Sequence, residues 1–358
     1  MHMLQPFRTG IAARRVLHLV GSPTSDFHRE LSELYAGGCL AALDDDARLA
    51  STIAHVCPDG TWRFPASLSP RDIAAAPGLD IAQAMREIAG RDLEVALPQM
   101  FCRAGMTDYR ALLEVLGLPY LGNRPLQMAL CADKAKTKAI VAAAGVAVPH
   151  SRQYVAGERP ALSLPAIVKP NDADNSDGVT LLRSAAGYGD AARRALEFSD
   201  TLLVEQYIEA GREVRCAVVE RGARLQCLPL EEYRIHPEQR PVRVREHKLG
   251  RTDGGSLALT SKGAAESWIV AADDPIVERV HAAARACHEA LGCRQYSLFD
   301  FRIDPDGKPW FLEAGLYCSF APNSVVVTMM AAAGTPLNAF LAGAIDALLD
   351  DRRSVRAA

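Results

Sequence analysis

Residues 299–313 read FDFRIDPDGKPWFLE. Two runs rich in aromatic and branched residues flank Pro305-Asp306-Gly307-Lys308. Asp-Gly is a favoured two-residue hairpin turn because both positions tolerate positive φ. A turn centred on that pair sets Asp300 directly opposite Glu313, on one face, with Cβ atoms about 5 Å apart. Two like charges that close destabilise a sheet unless something positive sits between them. Hard oxygen ligands of this kind suit magnesium, usually together with substrate phosphates. The competing reading is a solvated strand face with two unrelated acids. Against it, Asp300 is set among Leu298, Phe299 and Phe301, and Glu313 follows Trp310, Phe311 and Leu312. Asp300 and Glu313 are therefore expected to be metal ligands. Arg302 projects from the same strand face as Asp300 by the period of two. It could bind a substrate carboxylate or phosphate, or form a salt bridge with Asp304 or another acid.

Upstream of the hairpin the chain changes texture once. Residues 15–20 (RVLHLV) predict a buried first strand ended by Gly21-Ser22-Pro23, and a helical pattern follows from Phe27 to about Leu43. Residues 93–97 (LEVAL) predict a second strand closed by Pro98. Strand, helix and strand in this order suggest a parallel α/β unit. Helices are expected over 109–116 and 133–144, the second ended by Gly145. From about residue 150 short β-like runs dominate: 166–169, 179–182, 201–205, 214–219 and 225–228. A long amphipathic helix over 277–291 and a closing helix over 331–349 complete the pattern. The reading is α/β and α+β: an N-terminal α/β domain over 1–128, a small lid over 129–208 and a mainly antiparallel domain over 209–358.

Several isolated features fit a phosphate-bearing ligand. Lys169 ends a strand (LPAIVKP), and a turn-rich stretch holding Ser176 and Gly178 follows. Such a loop can fold backbone N–H groups over phosphates, although it also reads as an ordinary surface hairpin. It is not a GxxxxGK[ST] loop. Glu205 closes a strand (TLLVE), Ile208 follows, and Glu213 stands eight positions after Glu205, the layout of an adenosine hinge. Lys134 and Lys138 share a helix face at i, i+4. Lys248 lies in a polar, glycine-bearing stretch (REHKLGRTDGG).

Composition narrows the class. The chain has 358 residues, a formal net charge of −3 and 49% hydrophobic residues. Charges near balance argue against a broad nucleic-acid surface. No apolar run reaches the ~18 residues of a membrane span. Residues 1–15 carry basic residues without an apolar stretch, unlike a secretory signal. The nine cysteines form no CxxC pair, which fits a reducing cytoplasm better than disulfides or a zinc site.

In this order and at these spacings the elements resemble the ATP-grasp superfamily, in its D-alanine–D-alanine ligase branch. The resemblance implies an ATP-grasp fold, ATP with magnesium (manganese as a substitute), small-molecule substrates and a homodimer. By the same resemblance Lys134 and Lys169 look like the lysines that grip ATP phosphates. Ser176 looks like the lid serine, Glu205 and the backbone of Ile208 like the adenine hinge, and Glu213 like the ribose-binding acid. Lys248 is similar to the lysine that reaches the γ-phosphate. Asp300 and Glu313 look like the magnesium ligands, and Ser324 like a serine near the acceptor site.

Three departures bear on the substrate. The family usually has Asn two residues after the metal Glu, where this chain has Gly315. One metal ligand is missing, unless water or Asn323 serves. The family usually places an oxyanion-stabilising Arg two residues before the metal Asp, where this chain has Leu298. The usual N-terminal HGxxGEDG stretch is replaced by MFCRAGMT (100–107), ahead of the recognisable GLPYLGN (117–123). CPDGTWRFP, ALPQMFC, LPLEEY, CRQYSLFDFRID and FLEAGLYCSFAPNS together resemble the mycosporine-glycine–amine ligases. That resemblance implies phosphorylation of the ring ketone oxygen of mycosporine-glycine, displacement by serine or threonine, and release of ADP and phosphate. The alternatives are an amino-acid ligase acting through an acyl phosphate, and a non-catalytic nucleotide-binding regulator.

Overall fold

The computed structural model describes residues 13–158, 160–161, 163–173, 176–209, 211–235, 242, 249–251, 257–259 and 266–357. Three sheets follow one another along the chain. The first has the order β3-β2-β1-β4, from β1 (Arg14–Gly21), β2 (Leu49–Val56), β3 (Trp62–Arg63) and β4 (Val95–Pro98). β1 pairs in parallel with β2 and β4, as the strand–helix–strand reading requires. The crossover helix α1 (Asp26–Leu43) starts where the Ser25 side chain accepts from the His28 amide.

The second sheet, β5-β8-β6-β7, is antiparallel and small. It consists of β5 (Ser151–Val155), β6 (Ala166–Pro170), β7 (Thr180–Leu182) and β8 (Thr201–Gln206). Helix α2 (Lys134–Ala143) precedes it, and α3 (Tyr188–Leu196) covers it through Val168, Leu182, Ala191, Ala195 and Leu202.

The third sheet is the largest. Its order is β14-β11-β9-β15-β16, with β10 paired to β9. Its strands are β9 (Arg212–Arg221), β10 (Arg224–Cys227), β11 (Glu231–Tyr233), β14 (Ser267–Ile269), β15 (Tyr296–Ile303) and β16 (Pro309–Ala314). A separate pair, β12 (Leu249–Arg251) and β13 (Leu257–Leu259), lies between β11 and β14 in the chain. Strand alternation divides β15. Phe299, Phe301 and Ile303 join Phe311 and helix α4 (Ile276–Ala290) in one core. Leu298, Asp300 and Arg302 point to the other face. Every residue of β15 is buried, so the acids and bases on that second face sit under a roof rather than in solvent. Burying each such Phe contributes about 2–3 kcal/mol, which fixes the register of the polar face above it.

Two expectations need correction. The turn between β15 and β16 is not a two-residue Asp-Gly turn. Ile303 pairs with Pro309, and the loop is closed by Asp304 N–H donating to the Lys308 carbonyl at 3.1 Å and Gly307 N–H donating to the Asp304 carbonyl at 2.9 Å. The Asp304 carboxylate accepts from the amides of Asp306 and Lys308 and from the Trp310 indole, so a side chain organises the bend. Gly307 alone takes positive φ (75°) in that loop. This longer turn shifts the register by one, and a bulge between Asp300 and Phe301 shifts it back. Asp300 does stand opposite Glu313. The closing helix is also two helices, α5 (Val325–Ala332) and α6 (Leu337–Ala357), separated at Gly334 (φ 71°) and Pro336. Among the described residues no single helix is long and apolar enough to cross a membrane.

Candidate active site

A cleft, open at its mouth, lies between the second and third sheets. It is lined by Lys134, Lys169, Ser176, Glu205, Ile208, Glu213, Asp300, Arg302 and Glu313, nine of the residues singled out from the sequence. Ile167, Val179 and Leu312 add apolar wall. Ser324 is not part of that lining; it precedes α5, with its hydroxyl 2.5 Å from that of Ser319. Asn323 is exposed and also lies outside the lining. Lys248 lies outside the described residues.

Positive charge enters from two elements. Lys134 begins α2, whose N-cap is the Asp133 side chain, and its ammonium donates to the Ala173 carbonyl. It stands 3.8 Å from Glu313 Oε2. Lys169 on β6 donates to Glu205 Oε1 at 2.7 Å. One turn along α2, Lys138 approaches Glu205 Oε2 at 3.2 Å and donates to the Phe311 carbonyl at 3.2 Å. Burial alone would push the Glu205 carboxyl up, but Lys138 and Lys169 outweigh it and hold it below the ordinary range. Burial pushes the Lys138 ammonium down to about 8, against the pull of Glu205. Lys138 was visible in the sequence as the i+4 partner of Lys134, yet only the fold shows that it reaches Glu205.

The floor of the cleft is a cross-strand ladder. Arg302 pairs with Glu213 and Asp300 with Arg215 in the β15–β9 register. Arg302 Nη1 lies 3.5 Å from Glu213 Oε2, and Nη2 donates to the Tyr207 hydroxyl at 2.8 Å. Of the two roles open to Arg302, the ion pair with another acid is therefore formed, and that acid is Glu213 rather than Asp304. Arg215 was not singled out in the sequence. Its Nη2 donates to Asp300 Oδ2 at 2.9 Å, and its Nε is 2.8 Å from Oδ1. The spacing of GREVRC gave no signal for it, because its partner lies 85 residues away.

The donor set fits magnesium and a nucleoside triphosphate. Two carboxylates on adjacent strands face one another, and no group of three or more His, Cys, Asp or Glu that could hold a metal ion exists among the described residues. Magnesium bound by one or two carboxylates keeps its other positions for phosphate and water. The lysines stand around those acids, and the apolar wall suits a planar base.

Comparisons with known proteins agree with this architecture. Residues 140–346 match the family described as D-ala D-ala ligase C-terminus. The D-alanine–D-alanine ligase of Gloeobacter violaceus is 33% identical over 249 residues, 67% of this chain and 77% of that protein. The VanG D-Ala:D-Ser ligase of Enterococcus faecalis superposes with a TM-score of 0.76 at 20% identity, covering 94% of this chain and 99% of its own. The ATP complex of D-alanine–D-alanine ligase from Bacillus anthracis gives 0.70 at 21% identity, covering 96% of this chain and 100% of its own. Fold and cleft together define an ATP-grasp enzyme. The chain belongs to the D-alanine–D-alanine ligase family, ATP-dependent ligases that form carbon–nitrogen bonds with ATP and magnesium as cofactors.

Proposed function

We propose that this enzyme joins two amino acids in the manner of a D-alanine–D-alanine ligase, activating a carboxylate oxygen and then admitting an amine. One observation carries the reading: the opposed pair Asp300 and Glu313 shares a cleft with Lys134 and Lys169, in a chain 33% identical to a D-alanine–D-alanine ligase. Bound ATP with magnesium would supply the phosphoryl group and offset charge on it. Asp300 and Glu313 would hold the metal, and Lys134 and Lys169 would neutralise phosphate oxygens. Glu213, fixed by Arg302, would present an oxygen to the ribose. Ile167, Val179 and Leu312 would enclose the base, with Glu205 and the Ile208 backbone at its edge. The stretch around Ser176 would cover the phosphates and exclude water.

A second substrate reading has its own support. Leu298 and Gly315 stand where the family handles a carboxylate substrate and a further metal contact. Mycosporine-glycine presents a ring ketone conjugated to an enamine, whose oxygen behaves as a vinylogous amide oxygen and could be activated in the same way. Pure protein with ATP and magnesium is incubated with D-alanine alone, and with mycosporine-glycine plus an amino-acid panel. ADP release with dipeptide formation supports the first reading. A shift of the absorption maximum to longer wavelength, dependent on the amine, replaces it with the second. ATP binding without amine-dependent phosphate release in either mixture rejects both.

A further inference from the structure

Arg215 occupies an unusual place. Its guanidinium is buried, with 14% of the side chain exposed, on the cleft face of β9. Strand pairing sets it between two acids: Asp300 on β15 and Glu231 on β11. Only Nη2 donates to Asp300; Nε, though 2.8 Å from Oδ1, and Nη1 make no hydrogen bond among the described residues. Guanidinium carries five donors in a planar fork that matches a carboxylate. Glu231 is already engaged, since its carboxylate accepts from the Tyr233 hydroxyl. The Tyr233 ring lies under the guanidinium, with the carbon 5.3 Å from the centroid.

The charge count changes when the site is loaded. Arg215 stands beside two carboxylates, Asp300 and Glu231. A divalent cation would draw on Asp300 while Glu231 would remain as counter-charge, leaving the Asp300 side of the fork for another anion. The position next to Arg215 on its own strand face is Ala217, opposite Leu298; both are apolar and packed in one core. A buried fork with spare donors therefore stands beside Asp300.

We propose that Arg215 is the substrate-binding residue for an acceptor carboxylate, held in reserve by Asp300 and turned toward that carboxylate when the site is loaded. The proposal rests on the ligase reading above and names a residue for it. Its occupant is a small carboxylate.

The test uses full-length protein loaded with magnesium and a non-hydrolysable ATP analogue. Wild type and Arg215→Ala are titrated with D-alanine, with mycosporine-glycine and with acetate as a bare carboxylate probe. The expected result is that Arg215→Ala weakens carboxylate binding by about ten- to a hundredfold, the worth of a charge-assisted hydrogen bond. Affinity for the nucleotide analogue should stay within about twofold, and methylguanidinium should restore part of the loss. If neither amino-acid probe binds wild type but acetate does so through Arg215, the ligase reading fails and the Arg215 assignment stands. If Arg215→Ala binds every carboxylate as wild type does, if no carboxylate binds at all, or if only nucleotide affinity falls, Arg215 merely braces Asp300 and the proposal is overturned. Should Arg215→Ala fold poorly, Arg215→Lys keeps the charge without the fork, and an unchanged carboxylate affinity in it overturns the forked contact.

Discussion

Lys138 lies 3.2 Å from the Glu205 carboxylate, and both side chains are almost wholly withdrawn from solvent, at 2% and 4% exposure. Lys169 takes the other oxygen of the same carboxylate. The acid proposed to face the adenine is thus locked by one cation from α2 and one from the second sheet. Replacing Lys138 by Met should cost about 2–3 kcal/mol, below the ~3–5 of a fully orphaned buried charge because Lys169 stays in place. Chemical denaturation measures this. Lys138 loses its proton as pH rises through about 8, which removes one partner of Glu205. Nucleotide affinity in the wild type should therefore weaken above about pH 8, and that alkaline limb should be absent from Lys138→Met.

Asp300→Asn and Glu313→Gln should both abolish turnover, for they remove the two opposed acids proposed to hold the metal. Their effects on stability should differ. Asp300 is the counter-charge of buried Arg215, so its loss should cost about 3 kcal/mol. Glu313 is one-third exposed and 3.8 Å from Lys134, so Glu313→Gln should change stability by less than about 1 kcal/mol. Thermal melts beside activity assays separate the two; normal turnover in either variant would remove that residue from the metal site.

Gly315→Asn should be accommodated. A Cβ at this position meets nothing closer than the Leu298 carbonyl, at 3.9 Å, and the residue has no left-handed backbone to relieve. Packing therefore does not demand glycine. The variant should melt within about 1 kcal/mol of wild type, and its magnesium requirement for turnover should fall. A large loss of stability would show a steric role for Gly315 instead.

His18 gives an acid-stability prediction independent of the cleft. It is fully buried on β1, with Gln99 Nε2 donating to Nδ1 at 3.0 Å and Nε2 3.1 Å from Ser51 Oγ. Burial lowers it to about 4. The unfolded chain takes up this proton near pH 6.5, while the folded chain resists until about 4. Stability from this group is thus complete above about 6.5 and is lost as pH falls toward 4, by about 3 kcal/mol. In His18→Gln that part of the acid slope should vanish in denaturation curves taken across this range.

The strands and helices were legible where pattern and burial coincide. RVLHLV and the alternation of Phe299, Asp300, Phe301 and Arg302 announce a buried strand and a divided one. The opposition of Asp300 to Glu313 was also legible, but by a turn that does not form: Asp304 caps a longer bend, and a bulge restores the pairing. Sequence periodicity contains neither a side-chain cap nor a bulge. The cleft lysines Lys134 and Lys169 could be named from local runs and family likeness. Arg215 and the reach of Lys138 to Glu205 could not, because both depend on partners brought together from distant segments by packing. The break at Gly334 and Pro336 was readable in hindsight only through Pro336, which ends one apolar run and starts another.

The second sheet, β5-β8-β6-β7, keeps its apolar contacts with α3 to itself. Lys169 and Ser176 therefore ride on a small unit with its own apolar core, tied to the larger sheet by polar links such as Lys138 between Glu205 and the Phe311 carbonyl. A triphosphate bridging the two would act as cement, and protection of β6 amides from solvent exchange would rise on loading while those of β15 hardly change.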